Sequence, residues 1–137
     1  MTISLDTNVI VDITRGHDAV RGRLRQSFER GETIVISTIA LEELQFGALI
    51  SRDPNRERDQ LDDALVGVTV EPVTADDAIA IATYRADAER RGRRLSAYDG
   101  LIAGHAHARG WSVVTSDAKF VANAVDLRIE NWREPDA

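Results

Sequence analysis

The sequence lacks cysteine and any long apolar run, and it has few prolines and aromatic residues. The first two absences each exclude a class of protein. The chain has no cysteine, three prolines, and only two tryptophans, two tyrosines and three phenylalanines among 137 residues. The lack of cysteine excludes a disulfide framework and a thiolate zinc site. No apolar run approaches the roughly 18 residues of a membrane span, and Met1 leads into a polar-punctuated segment rather than a signal peptide. We therefore expect a cytoplasmic protein with no membrane association.

The overall composition is that of a globular protein, with 43% hydrophobic and 29% charged residues. The length suits one domain, residues 1–137. A formal net charge of −6 argues against a strongly basic nucleic-acid binder. Two segments nevertheless carry more arginines than acids: Arg15, Arg21, Arg23, Arg25 and Arg30 in one, and Arg85, Arg90, Arg91, Arg93 and Arg94 in the other. Either segment is compatible with a basic patch or with the solvated face of an amphipathic helix.

Short apolar strands alternate with helical patterns along the chain. The predicted strands cover residues 3–5, 33–36, 68–70, 111–115 and 125–131. The predicted helices cover residues 9–14, 17–30, 38–50, 75–91 and 96–109. Residues 51–60 are a loop or the exposed start of a further helix. This alternation predicts an α/β fold, in which helices cover both faces of a mostly parallel sheet.

Two aspartates directly follow predicted strands. Asp6 comes after "ISL" and Asp117 after "SVVTS". Ligands of open parallel sheets bind outside the carboxyl ends of the strands, so both residues are candidates for a site there. Because aspartate also caps helices and initiates turns well, a purely structural role is the alternative for each of them.

Two further acids occupy helical positions. Glu43 shares a helical stripe with Ile39, Phe46 and Ile50, which predicts that its side chain points toward the packed side of the helix. Its neighbour Glu42 lies on a more polar edge, and we expect it to be solvated or to support the site indirectly. Asp99 precedes a stripe of small apolar residues. Its S-x-x-D spacing from Ser96 also suits a capping box.

Four such acids in one domain have a single explanation if they share a cation, because clustered carboxylates repel one another. A donor set made of oxygens alone favours Mg²⁺ or Mn²⁺ over zinc. The histidines do not change this. His105 and His107 are two residues apart and diverge on a helix, and the H-x-x-x-H zinc spacing is absent. We expect both to be surface or edge residues, and we find no Ser/His/Asp arrangement in the sequence.

Four segments together resemble a known family. Asp6-Thr7-Asn8 after the first strand, "TIALEELQFG", "YDGLIAGHAHARG" and "VVTSDAKF" are similar to PIN-domain ribonucleases. More narrowly, they resemble the VapC toxins of bacterial and archaeal toxin–antitoxin pairs. The likeness runs from Met1 to about Trp132. Two features depart from the family pattern: Gly100 and Gly104 stand where alanine is common, and the acid is doubled at Glu42-Glu43.

The resemblance implies a three-layer sandwich with a four- or five-stranded parallel sheet, an acidic site for Mg²⁺ or Mn²⁺, and cleavage of RNA phosphodiesters. Position by position, Asp6, Glu43, Asp99 and Asp117 match the family's four acids, which serve catalysis and metal binding. Thr7, Asn8, Ser37 and Thr115 match small polar residues that support the site. The family also implies a VapB-like antitoxin as partner and a homodimer.

A divalent ion would both activate water and neutralise charge on the phosphate. In this hypothesis Asp6, Asp99 and Asp117 hold the metal, and Glu43 joins them or acts as general base. Once the site is neutralised, arginines could grip the RNA backbone, and Arg15, Arg91, Arg93 and Arg94 are the candidates.

Two other functions fit parts of the pattern. A PIN-like module that binds RNA without cleaving it would keep the fold and lose catalysis. A receiver-like Mg²⁺-binding signalling domain shares the parallel sheet. Such a domain needs a paired acid after the first strand, however, and here Asp6 stands alone. Its required lysine has only Lys119 as a counterpart, which lies inside "VVTSDAKF".

Overall fold

The computed structural model describes residues 1–134 and shows five strands and seven helices in an alternating order. The strands are β1 (Thr2–Leu5), β2 (Thr33–Ser37), β3 (Thr69–Glu71), β4 (Ser112–Val114) and β5 (Ile129–Glu130). The helices are α1 (Thr7–Thr14), α2 (Asp18–Glu29), α3 (Thr38–Leu49), α4 (Pro54–Ala64), α5 (Ala75–Arg90), α6 (Ala97–Arg109) and α7 (Ala118–Asn123).

The strands form one sheet in the order β3-β2-β1-β4-β5, and every neighbouring pair is parallel. β1, β2 and β4 are buried almost throughout. Strands buried on both faces are expected when helices flank a parallel sheet on both sides. The predicted three-layer α/β architecture is therefore confirmed, and β1 lies at its centre.

The chain reverses its order across the sheet at β1. From β1 it adds β2 and β3 on one side, then crosses to β4 and β5 on the other. Leu5 at the end of β1 pairs in register with Val114 at the end of β4. This is the arrangement in which an open parallel sheet leaves a crevice beyond its strand ends.

Helices α5 and α6 pack closely because α6 carries glycines on the side that faces α5. A Cβ added at Gly104 would lie 3.0 Å from Ile81 Cγ2 and 3.2 Å from the Ile81 Cα. A Cβ added at Gly100 would lie 3.0 Å from Arg85 Nε. The two residues that depart from the family pattern thus allow α6, which carries Asp99, to approach α5.

The predicted elements are all present, with ends shifted by a few residues. Residues 51–60, which the sequence left open, contain the start of α4. Helix α7 was not predicted, and the last strand is shorter than the predicted 125–131. Within residues 1–134, none of the helices combines the length and hydropathy needed to cross a membrane. The last three residues of the predicted domain, 135–137, lie outside the described part of the chain.

Candidate active site

Asp6 and Asp117 lie beyond the adjacent ends of β1 and β4. Asp6 follows β1 directly, and its backbone N–H donates to the Val114 carbonyl at 3.0 Å. Asp6 also caps α1, since its Oδ1 accepts from the Thr7 N–H at 2.8 Å. Asp117 caps α7 by accepting from the Lys119 N–H at 2.9 Å. The capping roles considered for both residues are therefore real, but they occupy only part of each carboxylate.

The Thr115 hydroxyl connects the two strand ends. It is fully buried and donates to Asp6 Oδ2 at 2.8 Å. It accepts from Asn8 Nδ2 at 3.2 Å and from the Asp117 N–H at 3.1 Å. Because both of its lone pairs are engaged, its proton is directed at Asp6. One hydroxyl thus sets the relative positions of Asp6, Asn8 and the backbone at Asp117.

The other polar atom of the Asn8 amide has no partner. Within residues 1–134, Asn8 Oδ1 is buried and makes no hydrogen bond. A buried acceptor without a donor costs about 1–3 kcal/mol. A cation or a hydrogen-bond donor bound beside Asp6 would satisfy this oxygen.

The four predicted acids lie close enough together for the charge of one to affect the pKa of another. Burial raises the pKa of Asp6 to about 6; the Thr115 hydrogen bond opposes this rise, and the charges of Asp99 and Glu43 add to it. Burial also raises the pKa of Glu43, with the charge of Asp99 contributing and the Thr7 hydroxyl opposing. Burial raises the pKa of Asp99 as well; the Ser96 side chain opposes this rise, and the charge of Asp117 adds to it. The structure thus brings Asp6, Glu43, Asp99 and Asp117 into one acidic cluster.

Asp99 does not complete a capping box. Ser96 caps α6 by accepting from the Asp99 N–H at 3.2 Å. The reciprocal bond, from the Ser96 N–H to the Asp99 carboxylate, is not among the hydrogen bonds of residues 1–134. At the start of α5, by contrast, Thr74 and Asp77 make both bonds. The Asp99 carboxylate is therefore not committed to its own backbone.

The donor set fits a divalent cation in kind. It consists of carboxylate oxygens that repel one another, together with the partnerless Asn8 Oδ1. Within residues 1–134, however, no three acidic or histidine side chains already stand close enough to hold one ion among them. Carboxylates that lack a shared cation are expected to spread apart. The residues therefore suit a hard cation, and binding would draw them together or use bridging waters.

The predicted packing of the helical face that carries Glu43 was partly wrong. Phe46 and Ile50, which were expected to pack with it, are 56% and 69% exposed. Helix α3 instead packs mainly through Ala40, Leu44 and Ala48, which form a neighbouring stripe on the helix. Glu43 reaches the acidic cluster nonetheless, since its charge acts on Asp6.

Glu42, the other acid of the pair, is exposed and accepts a hydrogen bond from the Tyr98 hydroxyl at 2.5 Å. This bond joins α3 to the first turn of α6. Glu42 is thus held at the side of the acidic cluster by an aromatic residue that the sequence reading did not single out.

Ser37 makes no hydrogen bond to the acids in the described part of the chain; it contacts a histidine. Its Oγ accepts from the Ile39 N–H at the start of α3 and lies 2.9 Å from His105 Nδ1. His105 Nε2 lies 3.5 Å from Asp77 Oδ2. The prediction that His105 is a surface or edge residue was wrong, because the residue is fully buried. His107 is exposed, as predicted.

Ser37, His105 and Asp77 therefore lie together, although no such arrangement was expected from the sequence; within residues 1–134, His105 Nε2 makes no hydrogen bond. All three side chains are buried, so no substrate reaches the serine. Asp77 is held by two hydrogen bonds of 2.8 Å from Arg109, which keep its pKa well below its usual range. Burial lowers the pKa of His105, and the charge of Asp77 opposes this shift. The group is a polar element of the core that anchors the start of α3, the helix of Glu43.

The predicted RNA-contacting arginines differ in how they are engaged. Arg91 pairs with Asp87 at 2.9 Å and Asp126 at 2.8 Å. Arg93 donates to the Ala122 carbonyl. Arg94 lies 3.7 Å from Glu89 and is largely exposed. Arg15 is exposed and lines a groove of about 490 Å³ that also contains Thr7, Asn8 and Glu43. Of the four arginines, Arg15 and Arg94 are therefore the more available for contacts with RNA.

Known proteins share this fold over nearly the full chain. Residues 3–125 match the PIN domain family. A tRNA(fMet)-specific endonuclease VapC of Salmonella typhimurium is 33% identical over 129 residues, which cover 93% of this chain and 96% of that protein. Ribonuclease VapC2 of Rickettsia felis is 30% identical over 132 residues, covering 96% and 98%.

A solved structure agrees with these sequence relatives. The crystal structure of VapBC2 from Rickettsia felis, bound to a DNA fragment from its promoter, superposes with a TM-score of 0.88 at 31% identity. The superposition covers 96% of this chain and 99% of that chain. With a family match over most of its length and relatives at this level of identity, the chain belongs to the PIN-domain family and is homologous to the VapC ribonucleases of toxin–antitoxin pairs.

Proposed function

We propose that the protein is the ribonuclease toxin of a toxin–antitoxin pair and that it hydrolyses RNA phosphodiester bonds at the acidic cluster. The observation that carries the proposal is the grouping of Asp6, Glu43, Asp99 and Asp117 in one acidic cluster, where burial and neighbouring charge raise the pKa values of the first three. Strongly perturbed carboxyl groups in a crevice are typical of functional sites. The homology to VapC ribonucleases supports the same conclusion.

The four acids would hold a divalent cation, Mg²⁺ or Mn²⁺, with Asn8 Oδ1 as a further oxygen donor. When bound, such an ion supplies an activated water and neutralises charge on the scissile phosphate. The buried Thr115 hydroxyl keeps Asp6 oriented toward the crevice. Asn8 is fixed by the same hydroxyl, so its free oxygen has a defined place.

Glu43 is the candidate for moving a proton. It is only partly buried, and its pKa is raised by burial and by the charge of Asp99. A carboxylate with a raised pKa accepts a proton from water more readily than a solvated one does. Glu43 therefore serves either as general base or as a fourth ligand.

RNA would reach the cluster along the groove that Arg15 lines. Arg94 offers a second exposed guanidinium. Arg91 and Arg93, which lie close to Arg94 in sequence, would also contact the RNA. Arg91 already makes an ion pair, and Arg93 a hydrogen bond, within the protein. Contacts of arginine with phosphate depend on salt, so RNA binding should weaken as ionic strength rises.

The partner is a VapB-like antitoxin. Two of the structural relatives are VapBC complexes, one from Rickettsia felis and a DNA-bound one from Salmonella typhimurium. A homodimer stays a prediction. The exposed apolar side chains of Phe46, Leu49 and Ile50 on α3 offer a surface for either association.

The direct test is cleavage of a labelled RNA in the presence of Mg²⁺ or Mn²⁺. Asp6→Asn and Asp99→Asn each keep size and remove one charge from the cluster, and we expect at least a hundredfold slower cleavage. Asp62→Asn, at an exposed position on α4, is the matched control and should cleave normally. EDTA should stop the reaction. Cleavage that survives Asp6→Asn or EDTA contradicts the proposal, and RNA binding without cleavage would indicate the silent module instead.

A further inference from the structure

Tyr98 makes a short hydrogen bond to Glu42, whose neighbour Glu43 belongs to the acidic cluster. Its hydroxyl donates to Glu42 Oε2 at 2.5 Å, and the two residues are 56 positions apart in sequence. Hydrogen bonds from a hydroxyl to a carboxylate are short and strong because the acceptor is charged. The bond favours the protonated phenol and so raises the pKa of Tyr98.

The pair stands next to two of the four acids. Glu42 directly precedes Glu43 on α3, and Tyr98 directly precedes Asp99 in the first turn of α6. Tyr98 is 40% exposed. The ring contacts between aromatic side chains within residues 1–134 do not include it. An aromatic side chain is thus fixed in one orientation beside the cluster while part of its surface is open to solvent.

We propose that Tyr98 is a stacking platform for a nucleobase of the RNA, next to the phosphate that is cleaved, and that Glu42 positions it. This inference rests on the proposed ribonuclease function and adds to it the side chain that receives a base. Bases of single-stranded RNA are splayed out and stack on aromatic side chains.

Charge favours a base over a phosphate at this position. Glu42 places a carboxylate at the tyrosine hydroxyl, and Glu43 and Asp99 lie next to the pair in sequence. A phosphate would be repelled there, whereas the uncharged face of a base would not. In a chain with a net charge of −6, stacking supplies affinity that does not depend on attraction to the RNA backbone.

The hydrogen bond also lowers the cost of stacking. A tyrosine free on the surface loses rotamer freedom when a base binds to it. Tyr98 has lost that freedom already, because its hydroxyl is tied to α3. Pre-organisation of this kind improves affinity without adding a contact.

The test is a coupling measurement between the ring and a single base. Asp6→Asn serves as the parent, so that RNA is bound in Mg²⁺ without being cleaved. Single-stranded oligoribonucleotides labelled with fluorescein are titrated by anisotropy, either intact or with an abasic site moved one position at a time. We expect Tyr98→Ala to weaken binding of intact RNA roughly tenfold, as stacking contacts do. One abasic position should remove that difference.

Two more variants separate stacking from a structural link between α3 and α6. Tyr98→Phe keeps the ring and loses the bond to Glu42, and it should bind intact RNA within about threefold of the parent. Glu42→Ala should behave like Tyr98→Phe. Equal loss in Tyr98→Phe and Tyr98→Ala, or a Tyr98→Ala effect that no abasic position removes, overturns the proposal. If Tyr98 contacts a protein partner and not the RNA, its replacement will show no coupling to any base.

The same set of proteins distinguishes this inference from the function on which it rests. Cleavage by the protein with Asp6 intact, without coupling between Tyr98 and a base, overturns the stacking platform and leaves the ribonuclease standing. Coupling without cleavage by the protein with Asp6 intact overturns the ribonuclease and leaves Tyr98 as the base-stacking residue of an RNA-binding module.

Discussion

Thr115 donates its hydroxyl proton to Asp6 across 2.8 Å, from the end of one central strand to the end of its neighbour. The same oxygen accepts from the Asn8 amide and from the Asp117 N–H. Asp6 therefore has one oxygen held by Thr115 and the other by the N–H of Thr7. Its orientation is determined before any ligand arrives.

Replacing Thr115 by valine should damage both the fold and the site. The change keeps the shape and leaves three polar groups without a partner: Asp6 Oδ2, Asn8 Nδ2 and the Asp117 N–H. We expect the free energy of unfolding to fall by about 2 kcal/mol and cleavage to slow at least tenfold. Urea denaturation and RNA cleavage measure the two effects. Thr115→Ser keeps the hydroxyl and should retain most of both, and a valine variant as active as the serine variant would contradict this role.

Asp6 should destabilise the metal-free protein at neutral pH. Its folded-state pKa of about 6 lies above the ordinary value of 3.8, so the folded state binds the proton more tightly. The stability that this proton contributes is fully present below about pH 4 and is lost as pH rises through about 6. In EDTA, Asp6→Asn should therefore be more stable than the parent by about 2 kcal/mol at pH 8, with the difference shrinking toward pH 4. Urea unfolding across this pH range measures it, and a difference that does not change with pH contradicts it.

Divalent ions should reverse that order. An ion that binds the folded state raises stability by about 2.7 kcal/mol at a concentration 100 times its dissociation constant. We expect Mg²⁺ or Mn²⁺ to raise the melting temperature of the parent and to have little effect on Asp6→Asn. Thermal unfolding monitored by circular dichroism measures this without relying on activity. Asp62→Asn is the control and should respond to the ion as the parent does. Equal shifts in the melting temperatures of the parent and Asp6→Asn would place any bound ion elsewhere.

The two glycines of α6 should respond differently to alanine. At Gly104 the added Cβ meets the Ile81 backbone at 3.2 Å, which cannot move without shifting α5. We expect Gly104→Ala to lower the free energy of unfolding by about 1–3 kcal/mol, despite its better helix propensity. At Gly100 the Cβ meets the flexible end of the exposed Arg85 side chain, so Gly100→Ala should be neutral or slightly stabilising. Urea midpoints compare the two, and equal effects would show that the helix spacing is not set at Gly104.

Asp77 should have the opposite pH dependence to Asp6. Arg109 holds the pKa of Asp77 well below its usual range, with the Thr74 N–H adding to the effect. The stability from this group is present above about pH 4 and lost as pH falls below it. Asp77→Asn should lower the free energy of unfolding by about 2 kcal/mol at pH 7, less than a fully buried pair would because Arg109 is partly exposed. The loss should shrink in acid, and a loss of the same size at pH 3 would rule out the ion pair as its cause.

Much of the fold was predictable because the elements obey local rules. Strands of apolar residues, helices ended by glycine and strict alternation predict a parallel sheet between helices, and that is what forms. Helix α7 escaped prediction because six residues are too few to show a helical period. Its only signal is Asp117, which was considered as a helix cap and does cap α7.

The site was predictable in its acids and not in its surroundings. Asp6 and Asp117 follow strands, and that position could be read directly. Glu43 was selected over Glu42 by a helical stripe in which Ile39 packs against the core, whereas Phe46 and Ile50 are exposed, so the packing behind that choice was only partly predicted. His105 was misplaced because a histidine on an apolar helix carries no signal of its distant partners. Ser37 and Asp77 are 68 and 28 positions away from it, and only the tertiary structure brings them together.

The central position of β1 has a consequence for how the protein is made. Asp6 and Thr115, which orients it, are 109 residues apart, so Asp6 is synthesised well before its partner. At translation rates of about 5–20 residues per second, the two are separated by roughly 5 to 20 s. During that time β1 has no β4 beside it, and the crevice between their ends does not exist. The growing chain therefore cannot form the crevice, or the ribonuclease site proposed there, until β4 has been synthesised and has paired with β1.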